Sequence, residues 1–253
     1  MRAGDNQGSR GASSPPGARA EVTVFGLGLG LDLDLDRLKQ ALPARYKKPL
    51  AEARLSLSIA QGKLANTLFP PPKPDAPELY LHLGCGGINH PRFVNVDGYP
   101  YEHVHSVRPI DDLSPFGGDS AGLIYACHCL EHFSMDEIPR ILTEWRRVLR
   151  PGGILRLSVP DFDLLLAIYE AHDRDLGSIS RVLLGGQDGR FNFHHAIFTA
   201  RSLTQLFEAA GFRDVRAWTP GSSELTTFDD WSARQVPIDG KMHPISLNLE
   251  AVK

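Results

Sequence analysis

Short apolar runs alternate with helix-forming stretches through residues 79–253, and this alternation constrains the fold more than any other feature of the chain. Turn residues bound each run, which is typical of strands. The predicted strands are Leu79–Leu83, Phe93–Val96, His103–Val107, Gly122–Cys127 and Ile154–Val159. Strands that alternate with helices form a parallel sheet with helices on both faces. We therefore expect an α/β fold with a doubly wound, mostly parallel sheet.

The helix between the last two predicted strands has the clearest signals. Ser134 and the following Glu137 match the pattern of a capping box. An apolar stripe at helical spacing comes next: Ile138, Ile141, Leu142, Trp145, Val148 and Leu149. The sequence RPGG at 150–153 is predicted to end this helix and turn the chain into the next strand. A further helix is predicted to begin with Asp161 as its N-cap.

The C-terminal part of the chain continues with one more helix and two strands. The helix is predicted from Thr199 to Ala210, with Gly211 just past its end. The segments FRDVRAWT (212–219) and ISLNLEAV (245–252) are strand-like, and a long polar segment separates them. We expect these two strands to add to one edge of the sheet as an antiparallel pair.

The N-terminal part differs in composition from the rest. Residues 1–20 are rich in Gly, Ser, Pro and Arg without apolar periodicity, which predicts a disordered tail. Residues 21–74 are predicted to be an extension with helical segments, broken at Pro43 and Pro49, that ends in the Pro-rich linker PPPKP. The main domain is then expected over residues 75–253.

The bulk composition is that of a soluble globular protein. The chain has 253 residues, of which 42% are hydrophobic and 23% charged, enough for a substantial core. A formal net charge of -3 does not indicate the positively charged surface that is typical of nucleic-acid-binding proteins. No apolar run approaches the roughly 18 residues of a membrane helix, and the N-terminus has no clean secretory pattern. We expect a cytoplasmic protein that binds neither nucleic acid nor membrane.

Two glycine-rich loops are candidates for a ligand-binding turn, and the first is not predicted to bind. It holds glycines at positions 26, 28 and 30, but leucines stand where the dinucleotide fingerprint needs its last glycine. An alternation of Leu and Asp then follows instead of a helix.

The second loop, within LHLGCGG (81–87), follows a buried strand, and Asp97 ends the next strand. Ligands of parallel sheets bind at the carboxyl ends of the strands, where a carboxylate can accept both hydroxyls of a ribose. Asp97 comes 11 positions after Gly86, whereas the dinucleotide fingerprint places its acid about 20 residues on. The short connection leaves room for a helix of about one turn. These features favour a nucleoside over a dinucleotide.

Several segments of the main domain follow one another in a recognisable order: LHLGCGG (81–87), VNVD (94–97), DDLSPF (111–116), LIYACHCLEHF (123–133), EWRRVLRPGGILRLSVPD (144–161), LTQLFEAAGF (203–212) and SLNLEAVK (246–253). In this order they resemble the class I S-adenosylmethionine-dependent methyltransferases, specifically the type 11 group. The resemblance implies a Rossmann-like fold, S-adenosylmethionine as the cofactor and methyl transfer as the reaction.

The resemblance also implies which residues contact the cofactor: Gly84, Cys85, Gly86, Asp97, Asp112, Leu113, Cys127 and His128. The glycine turn would pass under the methionine and ribose, and the aspartate that ends the second strand would hold the ribose hydroxyls. Asp112 with Leu113 would flank the adenine, and the segment after the fourth strand would line the methionine side.

The acceptor side is expected to use histidine. A methyl acceptor needs a base only if it must lose a proton to become nucleophilic. The candidate bases are His128, His132, His194 and His195. Of these, His132 and His195 are predicted to be catalytic; the alternative for His132 is that it only organises the loop before the next helix. Two polar, glycine-containing stretches, 183–192 and 219–245, are predicted lids, which favours a small polar molecule or a glycan as the acceptor.

No metal site is predicted from the sequence. Cys127, Cys129, His128 and His132 have suitable side chains for zinc, but successive strand residues face opposite sides of the sheet. With Cys85, the cysteines make an odd number and are expected to be free thiols.

Two other functions stay open on the sequence alone. A nicotinamide-dependent oxidoreductase is disfavoured by the 11-residue spacing and the missing third glycine of the second loop. A non-catalytic module that keeps the fold to bind a ligand or partner is the other alternative. The sequence gives no indication of the oligomeric state.

Overall fold

The computed structural model describes residues 43–253 apart from 70, 73, 75, 188–190, 223, 224, 226–229 and 239. The predicted tail of residues 1–20 and the first glycine loop lie outside the described residues. The chain divides into two compact units, Met1–Ala51 and Glu52–Lys253. Of the first unit, the structure describes residues 43–51, in which helix α1 begins.

Helix α1 covers Ala44–Leu68 and runs through Pro49 without a break. The predicted break at Pro49 is therefore wrong. Proline lacks an N–H, so the helix continues through Pro49 with one intrahelical hydrogen bond fewer. Within the second unit, the Asn66 side chain donates a hydrogen bond to the Val104 carbonyl over 2.7 Å. This bond ties the last turn of α1 to the main domain.

The strands follow in chain order: β1 (Leu79–Leu83), β2 (Val94–Asp97), β3 (Ser106–Val107), β4 (Ala121–Cys127), β5 (Leu149–Pro160), β6 (Arg213–Ala217), β7 (Gln235–Ile238), β8 (Lys241–Pro244) and β9 (Ser246–Val252). Among the described residues, seven of them form one sheet in the order β3-β2-β1-β4-β5-β9-β6, and β7 pairs separately with β8. Strands β1 to β5 pair in parallel, whereas β9 is antiparallel to both β5 and β6. The expected doubly wound, mostly parallel fold with an antiparallel C-terminal pair is confirmed.

The helices of the second unit that follow the sheet's strands are α2 (Ile138–Val148), α3 (Phe162–Ala171), α4 (Ser180–Leu184) and α5 (Ala200–Ala209). The predicted apolar stripe of α2 lies in the core, and its Trp145 Nε1 donates to the Ile110 carbonyl over 2.8 Å. The predicted N-cap of α3 is confirmed, and α5 begins one residue after the predicted Thr199, which is its N-cap. Asp161 accepts a hydrogen bond from the N–H of Asp163, and Thr199 forms a capping box with Ser202.

Helix α2 begins later than its capping signal predicts. The backbone N–H of Ser134 does donate to the Glu137 carboxylate over 3.0 Å, but the helix starts only at Ile138. The residues between form a turn. Pro139 then fits the first turn of the helix, because backbone N–H groups at that position have no acceptor within the helix. The predicted start at Ser134 is therefore wrong by one turn, whereas the end before RPGG is confirmed.

Two predictions around the second glycine loop also need correction. Residues 84–93, all of them described, hold turns and no helix, because this connection is too short to wind one and return to the sheet. Strand β3 comprises Ser106–Val107 instead of the predicted His103–Val107, since only these two residues pair with the end of β2. Among the described helices, none combines the length and the apolar character needed to cross a bilayer.

Candidate functional site

The glycine turn after β1 lies at the carboxyl end of the sheet. Gly84 and Gly86 have positive φ angles of 64° and 53°, which residues with a side chain rarely adopt. The N–H of Gly84 donates to the Val96 carbonyl over 2.8 Å. A side chain at Gly84 would overlap the sulfur of Cys129. The backbone of this turn therefore runs closer to β2 and to the loop after β4 than any other residue would allow.

Asp97, the last residue of β2, is held by backbone amides. Its Oδ2 accepts a hydrogen bond from the N–H of Gly86 over 2.8 Å, and its Oδ1 accepts one from the N–H of Tyr99 over 2.7 Å. Burial raises the pKa of Asp97, and the amides of Tyr99 and Gly86 offset part of this rise. Each carboxylate oxygen has a second lone pair, so the fixed carboxylate can still accept hydrogen bonds from a ligand.

Asp97 faces a cavity of about 290 Å³, here named the Asp97 cavity. Its wall consists of Gly84, Gly86, Asp97, Gly98, Tyr99, Tyr101, Pro109, Ile110, His128, Cys129, His132, Phe133 and Phe191. Apolar and aromatic side chains with one carboxylate among them suit a nucleoside, whose base is flat and whose ribose donates hydrogen bonds.

A second cavity of about 450 Å³, here named the histidine cavity, shares Gly84, Gly86, His128 and His132 with the first. The rest of its wall consists of His82, Cys85, Gly87, Ile88, Cys127, Arg181, Val182, Gly185, Gly186, Asn192, His194, Asp230 and Trp231. The two cavities thus have a common wall at the ends of β1 and β4. The same four residues would therefore contact ligands in either cavity.

A buried carboxylate lies behind the histidines of this wall. Glu131, in the 3₁₀ turn Leu130–His132 after β4, is fully buried. Its Oε1 lies 3.5 Å from Nδ1 of His128 and 3.9 Å from Nε2 of His194. The rings of His132 and His194 meet edge to face, with centroids 4.9 Å apart. Three imidazoles therefore surround one carboxylate.

Burial keeps the three imidazoles neutral at pH 7. It lowers the pKa of His128 to about 3, with smaller contributions from His194 and His132, and it lowers the pKa of His194 to about 4. It also lowers the pKa of His132. The same burial raises the pKa of Glu131 to about 8. Neutral imidazoles keep a lone pair on one ring nitrogen, which can accept a proton or bind a metal ion.

The comparisons with known proteins agree with this geometry. A family model described as a methyltransferase domain matches residues 59–217. The chain belongs to the methyltransferase-domain family. It is a class I S-adenosylmethionine-dependent methyltransferase, and S-adenosylmethionine is its cofactor. The predicted class I family and its cofactor are confirmed, the type 11 group stays a prediction, and the oxidoreductase and the non-catalytic module are set aside.

Solved structures of similar fold come from several organisms. One is an S-adenosylmethionine-dependent methyltransferase from Archaeoglobus fulgidus, at 16% identity over 81% of this chain and 94% of that chain, with a TM-score of 0.43. Another is the Burkholderia thailandensis 1,6-didemethyltoxoflavin-N1-methyltransferase with bound 1,6-didemethyltoxoflavin and S-adenosylhomocysteine, at 18% identity over 87% and 88% of the chains, with a TM-score of 0.43. A third comes from Methanosarcina mazei, at 16% identity over 72% and 94%, with a TM-score of 0.44. No curated protein matches the methyltransferase at a significant level.

The structure brings most of the sequence-predicted cofactor residues of the methyltransferase together. Those that line at least one of the two cavities are Gly84, Cys85, Gly86, Asp97, Cys127 and His128. Asp112 and Leu113 line neither cavity. The Asp112 carboxylate lies 3.3 Å from the guanidinium of Arg108, and Leu113 is buried in the core with its N–H donating to Glu144. Pro109 and Ile110, a few residues earlier, line the Asp97 cavity instead.

The two adjacent histidines of the NFHHAIF segment face opposite ways. His194 lines the histidine cavity, whereas His195 is exposed and lines neither cavity. The backbone N–H of His195 donates to the Glu131 carbonyl over 2.7 Å. The prediction chose His195 of the pair, but the structure places His194 beside His132. Sequence reasoning also missed the carboxylate of Glu131, although it stands next to His132 in CLEHF.

Proposed function

We propose that this methyltransferase transfers the methyl group of S-adenosylmethionine to a nitrogen or oxygen atom of a small polar acceptor bound in the histidine cavity. The observation that carries the proposal is the wall common to the two cavities, formed by Gly84, Gly86, His128 and His132. Methyl transfer from a sulfonium is an in-line displacement, so donor and acceptor must approach the methyl from opposite sides. Two cavities on either side of one wall fit this requirement.

In this proposal the cofactor occupies the Asp97 cavity. Asp97 accepts hydrogen bonds from the ribose hydroxyls through the lone pairs that Gly86 and Tyr99 leave available. The adenine packs against Pro109 and Ile110, in the place that the sequence assigned to Asp112 and Leu113. The methionine part runs along the glycine turn toward the common wall. Cys85 and Cys127, which line the histidine cavity near that wall, are small enough to let it pass.

The acceptor occupies the histidine cavity, and the cavity wall indicates its chemistry. Neutral imidazoles, the guanidinium of Arg181 and the carboxylate of Asp230 supply both donors and acceptors of hydrogen bonds. A cavity of about 450 Å³ is in the size range of small-molecule sites. These features support a small polar molecule, including a single sugar unit, as the acceptor.

The reaction needs one new bond and one broken bond. A lone pair on the acceptor atom forms a bond to the methyl carbon, and the carbon–sulfur bond breaks. Its electron pair stays on sulfur, which leaves neutral S-adenosylhomocysteine. An acceptor hydroxyl or ammonium also loses a proton, and His132 is proposed to take it as a general base. His194, beside His132, replaces the predicted His195 as the second histidine of the acceptor side.

The test is the transfer of a labelled methyl group from S-adenosylmethionine to a panel of small alcohols, amines, hydroxy acids and single sugars. We expect a labelled product that forms only with an acceptor present and is lost in His132→Asn. The matched measurement is binding of S-adenosylhomocysteine, which His132→Asn is expected to retain. A protein that labels only macromolecules, and none of the small compounds, would contradict the proposed acceptor class.

A further inference from the structure

We infer that Glu131, His132 and His194 form a binding site for one divalent transition-metal ion on the acceptor side of the common wall. Each residue offers one ligand atom, and these atoms lie within 4.8 Å of one another. The inference goes beyond the proposed function, because methyl transfer from a sulfonium does not itself require a metal.

The main chain fixes the two segments that supply the ligands. Glu131 and His132 belong to the turn after β4, and His194 belongs to an extended segment far along the chain. The Glu131 carbonyl accepts hydrogen bonds from the N–H groups of His195 and Ala196, over 2.7 and 3.2 Å. These hydrogen bonds hold the backbone that carries Glu131 and His132 next to the backbone that carries His194. A site assembled this way needs little rearrangement to bind an ion.

The buried Glu131 carboxyl group lacks hydrogen-bond partners among the described residues. It is fully buried, and neither of its oxygens accepts a hydrogen bond from the described residues. Buried carboxylates are normally hydrogen-bonded, paired with a charge or bound to a metal. The ring nitrogens of His128 and His194, at 3.5 and 3.9 Å from Oε1, are too far away for hydrogen bonds. The His194 distance is about 0.6 Å longer than the separation of about 3.3 Å between two ligands of a tetrahedral ion with bonds of about 2.0–2.1 Å, so a small side-chain movement would bring the two ligands to an ion.

Hydrogen bonds on the far sides of the rings leave lone pairs facing the cluster. Nδ1 of His132 donates to the Phe193 carbonyl over 3.0 Å, so its Nε2 keeps the lone pair. Nε2 of His128 lies 2.8 Å from the Ser246 hydroxyl, which itself donates to a backbone carbonyl over 2.7 Å. The Nδ1 lone pair of His128 therefore faces Oε1 of Glu131, and a cation nearby would stabilise both. A carbonyl that orients the second nitrogen is the usual arrangement at metal-binding histidines.

The ligand types select the class of metal. Two imidazoles and one carboxylate suit Zn²⁺ and its neighbours in the first transition row, whereas Mg²⁺ and Ca²⁺ prefer sites built from oxygen alone. Cys129 is directed elsewhere, since its Sγ lies 3.1 Å from the Cys127 carbonyl and 3.5 Å from the Leu83 carbonyl. We therefore use Zn²⁺ as the probe.

The open position of such an ion would face the acceptor. His132 and His194 line the histidine cavity, and three protein ligands leave at least one coordination position free. A metal there would bind an acceptor oxygen or nitrogen and make its proton easier to lose. It would occupy the His132 lone pair and so replace His132 as the group that activates the acceptor. This role rests on the proposed function, whereas metal binding does not.

The test is a calorimetric titration of the chelator-treated full-length protein with Zn²⁺, together with metal analysis of the protein as purified. We expect one ion per chain, and an affinity reduced by about 100-fold or more in Glu131→Gln and in His194→Asn. His195→Asn is the matched control, because this neighbouring histidine is exposed and lines neither cavity. Its affinity for Zn²⁺ is expected to equal that of the wild type.

Thermal denaturation without metal separates loss of the ligand from loss of the fold. Gln has the size of Glu and is neutral at every pH, so metal-free Glu131→Gln is expected to be at least as stable as the wild type. The inference is overturned if the wild type binds no stoichiometric Zn²⁺, or if folded Glu131→Gln binds it as well as the wild type does. Binding of S-adenosylhomocysteine and transfer of the labelled methyl group by the wild type test the proposed function without reference to Zn²⁺, so the two failures can be told apart.

Discussion

The backbone N–H of Gly86 donates a hydrogen bond to Oδ2 of Asp97 over 2.8 Å and so joins the turn after β1 to the end of β2. The N–H of Tyr99 holds the other carboxylate oxygen over 2.7 Å. The carboxylate is thereby fixed before any ligand arrives, and its free lone pairs are directed by the fold. Because the carboxylate is already ordered, less conformational entropy is lost when it accepts hydrogen bonds from a ligand's hydroxyl groups.

Replacing Asp97 with Asn is expected to weaken the binding of S-adenosylhomocysteine by about 10- to 100-fold, because hydrogen bonds to a charged acceptor contribute about 1.5–3 kcal/mol. Both carboxylate oxygens of Asp97 accept hydrogen bonds from backbone N–H groups. In the Asn variant one of these N–H groups would meet the side-chain NH₂, which is also a donor, and that hydrogen bond would be lost. Titration calorimetry measures the change. Asp112→Asn is the matched control: Asp112 lines neither cavity, so its variant is expected to bind like the wild type. Equal losses in both variants would place the adenine where the sequence predicted it.

Gly84→Ala is expected to destabilise the protein by about 2–4 kcal/mol, since a left-handed backbone costs a side chain about 1–2 kcal/mol and overlap in a packed core adds to that. The added Cβ would meet the buried sulfur of Cys129. Gly87→Ala, in the same turn, meets no atom within 4 Å and is expected to change the stability by less than about 0.5 kcal/mol. Chemical denaturation compares the two. Similar stabilities would show that the turn tolerates a side chain.

His132→Asn is expected to lower kcat by about 100-fold or more with an acceptor that the labelled-methyl panel identifies, in line with the loss of a general base. The dissociation constant of S-adenosylhomocysteine is expected to stay within about twofold, because the proposed function assigns most cofactor contacts to Asp97 and the glycine turn. Steady-state kinetics and calorimetry give the two quantities. If both change together, His132 supports the cofactor and has no separate role toward the acceptor.

His82 on β1 predicts a pH dependence of stability. It is buried between Phe93 and Tyr125, and burial lowers its pKa to about 3, with smaller effects from His90 and His103. The unfolded chain takes up a proton near pH 6.5 while the folded chain does not, so this residue makes the free energy of unfolding fall as the pH drops from about 6.5 toward 3.

We therefore expect His82→Phe to lose less stability on acidification than the wild type. Between pH 6.5 and pH 5 the difference is expected to be about 1.5 kcal/mol, as each pH unit contributes up to about 1.4 kcal/mol. Denaturant titrations at the two pH values measure it. His195→Phe, which removes an exposed histidine, controls for the loss of an imidazole as such. Parallel pH profiles for the wild type and His82→Phe would refute this prediction.

Much of the fold is readable from local patterns. Strands β1 and β4 are short apolar runs between turn residues. The side chains of Asp161 and Thr199 accept hydrogen bonds from the first free amides of the helices that follow them. The strand boundaries that were predicted wrongly depend on which residues pair with a neighbouring strand. Strand β3 is short because only Ser106 and Val107 pair with β2, and no property of residues 103–105 reveals this.

The acceptor side was harder to predict, because it depends on contacts between distant segments. In the extended segment around the paired histidines, His194, Ala196 and Phe198 face inward, whereas Phe193, His195 and Ile197 face outward. Both faces carry apolar side chains, so the period of two does not show which face is buried. The backbone bonds to Glu131 decide it. The position of Asp97 beside a cavity, in contrast, follows from its place at the carboxyl end of a parallel strand.

The most direct test is titration calorimetry of the wild-type protein with S-adenosylmethionine and S-adenosylhomocysteine, with NAD as the comparison. The account predicts that both sulfur nucleosides bind with one site per chain and that NAD binds much more weakly, because the short connection after β1 offers no helix N-terminus for a pyrophosphate. A folded protein that binds neither sulfur nucleoside, or that prefers NAD, would contradict it.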